Sequence, residues 1–96
     1  MFLTIAHYTI SAGNERAVLD LVCELETESR TEEGCVAFDA YLKPGDDREL
    51  VLLERYETAA DFDAHRATPH FERLVLGQIV PLLSSRTVES FTLPES

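Results

Sequence analysis

The spacing of apolar residues changes period along this chain, and the order of those changes is what most limits its fold. "FLTIAHYTI" (Phe2 to Ile10) alternates, with Leu3, Ile5, His7 and Thr9 on one face and Phe2, Thr4, Ala6, Tyr8 and Ile10 on the other. Both faces carry apolar groups, which predicts a strand covered on both sides. After "SAGN" the period lengthens: Ala17, Val18, Leu21, Val22 and Leu25 form one helical stripe, opposite Glu15, Asp20, Glu24 and Glu28. The helix is expected to stop near "EEG", with Gly34 in the left-handed conformation as its cap. Cys35 to Lys43 and Glu49 to Glu57 return to alternation around the turn signal "PGDD" and predict a hairpin.

Thr58 then offers a helix cap, with Asp61 at the reciprocal position of a capping box. Thr68 and Pro69 restart a helix, threonine as cap and proline in the first turn, where its missing N–H costs nothing. Phe71, Leu74, Val75, Gln78, Ile79 and Leu82 extend an inward stripe, which Gly77 and Pro81 weaken at its end. Arg86 to Leu93 predicts a last strand. The order is β-α-β-β-α-β, a ferredoxin-like α+β domain spanning 1–96, with an antiparallel sheet and helices on one face.

Charge narrows the partners. Eight Lys and Arg against eighteen Asp and Glu give a formal net charge of −10, a field that repels nucleic acid and anionic membrane surfaces alike. No apolar run approaches the length of a membrane span, and the alternating N-terminus lacks the basic-then-apolar layout of a secretion signal, so a cytoplasmic location is expected. Cys23 and Cys35 have neither metal spacing nor the number for a disulfide framework; buried free thiols are the expectation.

Candidate chemistry gathers between Leu52 and Leu74. Glu54 shares a strand face with Leu50, Leu52 and Tyr56, so helices over that face would enclose a carboxylate that needs a partner or a proton. Histidine is the natural partner at neutral pH. His65 ends one helical stretch and His70 lies in the first turn of the next, so a strand carboxylate beneath two histidines at a helix break forms a candidate proton-transfer site. The plainer alternative pairs Glu54 with His65 as a structural lock and leaves His70 in water. His7 is a lone polar residue on a strand, and Tyr56 fits core packing as well as chemistry. A two-histidine, one-glutamate metal site has suitable ligand types, but five residues across a proline is not the one-face i, i+4 spacing. Metal-free chemistry is therefore expected. Dinucleotide, phosphate-loop and C-x-x-C motifs are missing, so no cofactor is implied.

The runs "EEGCVAFDAY", "LLERYETAADFDAH" and "HRATPHFERL", together with the strand order, resemble the antibiotic biosynthesis monooxygenase (ABM) family of dimeric ferredoxin-like proteins. The resemblance implies a homodimer packed as a dimeric α+β barrel, with a pocket between each subunit's helices and sheet. It also implies oxidation of a quinol or aromatic polyketide by O2 without metal, flavin or haem: a base deprotonates the substrate, and the substrate anion reduces oxygen. Carried over by position, His65, Glu54 and His70 become the catalytic candidates, with Tyr56, Phe38, Phe71 and His7 as substrate contacts. The lack of Trp, and Leu74-Val75 where the haem-degrading branch has a histidine, set haem degradation aside.

Two alternatives remain open. Relatives with the same T-P-H element resemble proton-shuttling isomerases of small phosphorylated diones, which need Arg or Lys in the pocket; Arg55, Arg66 and Arg73 are the candidates. A non-catalytic binding dimer would have His65 and Glu54 satisfied by backbone, with no cavity reaching them. The dimer has its own rationale, since Tyr41, Val51 and Leu53 would be exposed on the sheet face away from the helices.

Overall fold

The computed structural model describes residues 1–94; positions 95 and 96, the end of the expected 1–96 domain, lie outside the described residues. Its elements are β1 (Phe2–Ile10), α1 (Glu15–Ser29), β2 (Cys35–Lys43), β3 (Asp46–Tyr56), α2 (Ala59–Arg66), a π-helical segment (Phe71–Ile79), a single 3-10 turn (Val80–Leu82) and β4 (Leu83–Thr92). The strands form one antiparallel sheet in the order β2-β3-β1-β4. This is the expected ferredoxin-like α+β fold.

One sheet face carries Thr4, Ala6, Tyr8 and Ile10 from β1, Phe38 from β2, and Leu50, Leu52, Glu54 and Tyr56 from β3, all buried. Val18, Val22 and Leu25 of α1 and Phe71, Leu74, Val75 and Ile79 of the π-helical segment close over that face as the core. The helical stripe of α1 is turned slightly from the expected one, leaving Ala17 exposed. β4 contributes no residue to the buried core.

Several local expectations need correction. Gly34 does not cap α1: the helix ends at Ser29 with Arg30 in a right-handed cap, and the positive-φ glycines are Gly13 and Gly45. What demands glycine at 34 is space, because a Cβ there would sit 2.2 Å from Cγ of Asp61. Asp61 is held at that place by its capping box with Thr58, which forms as expected. The hairpin turn is only Pro44-Gly45, with Gly45 at φ +78, so Asp46 already pairs with Lys43 and β3 begins earlier than Glu49. β4 likewise begins at Leu83 rather than Arg86, because a register shift after Thr9 lets Ile10 pair with Leu83. Cys23 is exposed and Cys35 half-buried, so the pair are free thiols but not both interior.

The chain breaks helix at Ala67 and resumes at Pro69. Thr68 serves both sides: its hydroxyl donates to the His65 carbonyl at 2.7 Å and accepts from the Phe71 N–H at 3.2 Å. Beyond it the winding widens, and the Val80 N–H reaches the Val75 carbonyl five residues back. Gly77 lies within this segment and does not end it.

Candidate active site

A cavity of about 370 Å³ lies between sheet and helices. Thr4, Ala6, Tyr8, Leu52 and Glu54 form its floor; Phe38, Phe71, Leu25 and Val75 wall it, with Phe62 and His65 from α2. Arg66 on α2 and Arg86, Val88 and Ser90 on β4 also line it, and all four are exposed, which places the opening over β4. Apolar and aromatic walls with polar groups converging on them are the usual form of a small-molecule site.

His65 sits at the end of α2, ringed by Phe38, Tyr56, Phe62 and Phe71 with centroids 5.2–6.2 Å away. It is 2% exposed, and burial lowers its pKa, so the ring is neutral at pH 7. Nδ1 lies 2.8 and 3.1 Å from the two carboxylate oxygens of Glu32. A carboxylate only accepts, so Nδ1 carries the ring's proton and donates it. Nε2 keeps its lone pair and faces Glu54, whose Oε1 is 3.9 Å away. The hydrogen-bonded partner of His65 is therefore Glu32, in the turn after α1, rather than Glu54. Glu32 also accepts from His70 Nε2 at 2.6 Å. His70 thus stands behind His65 on Glu32 and does not line the cavity.

Glu54, only 4% exposed, stands on the cavity floor and accepts a 2.6 Å hydrogen bond from the Tyr56 hydroxyl. Burial pushes its pKa up to about 7; the Tyr56 bond pulls the other way and Glu32 adds to the rise. Burial, with Glu54 beside it, likewise raises the Tyr56 hydroxyl well above its ordinary value, so Tyr56 acts as a donor beneath Glu54 and is not part of the wall. Phe38 and Phe71 line the cavity. His7 does not: it is exposed on the opposite sheet face, bonded to Glu49, because odd-numbered residues of β1 point away from the helices.

The comparisons with known proteins come down to one decisive match, to the antibiotic biosynthesis monooxygenase family over residues 1–75. The chain belongs to that family. Among curated ABM-like relatives, Rv0793 of Mycobacterium tuberculosis, provisionally named a monooxygenase, is 43% identical over 56 residues, 58% of this chain. That stretch spans about half (52%) of the length of Rv0793. YcnE of Bacillus subtilis, similarly named, is 28% identical over 75 residues, covering 78% of this chain and 79% of its own. A solved antibiotic biosynthesis monooxygenase superposes with a TM-score of 0.91 at 30% identity, covering 99% of this chain and 100% of the other. The Rv0793 structure superposes at 0.89 with 29% identity, covering 99% and 96%.

Within this ABM domain, sequence reasoning missed Glu32, Arg86 and Tyr8 as site residues. Glu32 follows α1 outside any periodic pattern, 33 positions from His65. Tyr8 and Arg86 face one another across the β1–β4 pairing, with the guanidinium 6.0 Å from the Tyr8 ring centroid. Their alternation with Ala6 and Val88 on one sheet face was the available signal.

Proposed function

We propose that this protein is a cofactor-independent monooxygenase that oxidises a quinol or hydroxylated aromatic substrate with O2, with His65 as the base. The observation that carries this reading is the placement of His65: a buried ring held by Glu32 through Nδ1, with Nε2 turned toward Glu54 on the floor of an aromatic-walled chamber. A substrate hydroxyl within reach of Nε2 loses its proton there, and the electron-rich anion reduces O2. Glu32 stabilises the imidazolium that results, while Glu54 and Arg86 are polar groups that orient the substrate.

The working form in this proposal is a homodimer. Tyr41 (57% exposed), Leu53 and Phe91 lie on the sheet face opposite the helices, an apolar surface that a second sheet would cover. Light scattering at micromolar concentration tests it, and a monomer would count against it.

Arg66 and Arg86 favour one second reading, a proton-shuttling isomerase acting on a small anionic carbonyl compound. It uses the same His65 and no oxygen. Oxygen uptake by chelator-treated protein, presented with a panel of reduced quinols and hydroxylated anthrones, separates the two. Uptake that disappears in His65→Ala is expected. Rates no higher than autoxidation across the panel would move the assignment to isomerisation or binding.

A further inference from the structure

Behind the ring of His65, on the side away from the cavity, three metal-ligating groups converge. A carboxylate oxygen of Glu32, a ring nitrogen of His65 and one of His70 all lie within 4.8 Å of one another, the one such trio among the described residues. Two neutral imidazoles and a carboxylate are a donor set for Zn²⁺ and similar divalent ions. The i, i+5 spacing that argues against a single helical face is overcome by the break at Ala67–Thr68. His65 comes from the end of α2 and His70 from the restart, so the two rings converge with centroids 6.2 Å apart. The side chains of Glu32 and His70 are each 13% exposed, which leaves an ion a route from solvent at the helix break.

We propose that Glu32, His65 and His70 bind a divalent transition-metal ion of the Zn²⁺ class, and that occupancy converts His65 from proton acceptor to proton donor on the cavity side. Site formation stands on the three residues alone; its effect on turnover rests on the function proposed above. Tetrahedral coordination at about 2.0–2.2 Å separates ligand atoms by roughly 3.3 Å. Glu32 Oε2 lies 2.8 Å from His65 Nδ1 and 2.6 Å from His70 Nε2, so the ion replaces two hydrogen-bond protons after a modest widening.

The proton then follows. A metal-bound Nδ1 cannot hold hydrogen, so the neutral ring carries its proton on Nε2, facing Glu54 Oε1 at 3.9 Å. That places a carboxylate behind a ligating histidine, the arrangement that commonly orients such ligands. In this state the atom that would accept the substrate proton is already protonated.

The test begins with EDTA-treated, desalted protein titrated with ZnCl₂ by calorimetry, alongside His70→Ala, Glu32→Gln and His7→Ala, with circular dichroism to verify each fold. One ion per chain is expected for wild type and His7→Ala, with affinity lowered more than about tenfold in the other two. Undetectable binding, or equal binding by folded His70→Ala, overturns the site. ¹⁵N spectra of the imidazoles provide the second readout: Nδ1-protonated His65 without Zn²⁺ and Nε2-protonated with it. A tautomer unchanged at saturation overturns the conversion. Neither readout uses turnover, so failure of the oxygenase reading would leave a positive metal result standing.

Discussion

The two sides of the His65 ring are built from opposite materials. On the side of the helix break, Glu32 lies in a turn, partly exposed, and holds two histidines at 2.6 and 2.8 Å. On the cavity side, Glu54 lies on a central strand, buried, and receives a single hydroxyl, from Tyr56. One carboxylate serves as the shared acceptor for both rings. The other has lost its water, and its pKa rises to about 7. The same side-chain type anchors the ring on one side and becomes a titrating group on the other, and only burial and hydrogen-bond count distinguish them.

The largest effect that tests this contrast is at the ring between them. His65→Ala should lower turnover of a confirmed substrate by about 10²–10⁴, the usual contribution of a positioned base. A rate within twofold of wild type would remove the base from the proposed mechanism.

Glu54→Gln should act on stability, with a sign set by pH. The folded pKa of about 7 lies above the ordinary 4.5, so the folded state holds this proton more tightly than the unfolded chain does. Its contribution is complete below about 4.5 and is lost as pH rises through 7, a cost near 3 kcal/mol at pH 8 on the usual linkage scale. Glutamine removes that cost while still accepting from Tyr56. Urea unfolding in EDTA should therefore find Glu54→Gln more stable than wild type at pH 8 by up to about 3 kcal/mol, and nearly equal at pH 4.5. An equal difference at both pH values would show that burial of the charge is not the cause.

Glu32→Gln sharpens the other side. One amide oxygen replaces two carboxylate oxygens, and the neutral acceptor weakens both histidine bonds, costing about 1–2 kcal/mol at pH 7. Chemical denaturation measures the loss, and histidine ¹⁵N shifts report whether Nδ1 keeps its proton. Smallest is Thr58→Ala, which removes the capping-box acceptor at the start of α2, at about 1 kcal/mol. It should lower the thermal midpoint while leaving the difference between the two carboxylates intact.

What could be read from the sequence divides along similar lines. Capping by Thr58 and Thr68, the strand order and the inward face of β3 depend on neighbours a few positions apart, and each was legible. Glu54, His65, Phe38 and Phe71 meet in the cavity because they lie on faces that periodicity identifies. Glu32 escaped because it belongs to no period; its role arises where the turn after α1 comes to rest against the helix break. Gly34 misled for a related reason, since its constraint comes from Asp61, 27 positions on. His7 resembled a site residue until parity along β1 set it on the far face.

β4 gives the last point. Within one chain it places Arg86, Val88 and Ser90 at the mouth of the cavity and no residue in the buried core. The rim of the cavity is therefore set apart from its floor and walls, which are core residues, and lies on a strand secured mainly by its backbone ladder to β1. Three alternate exposed positions can change size, charge or polarity without opening a void in the core, so the rim can be altered at little thermodynamic cost.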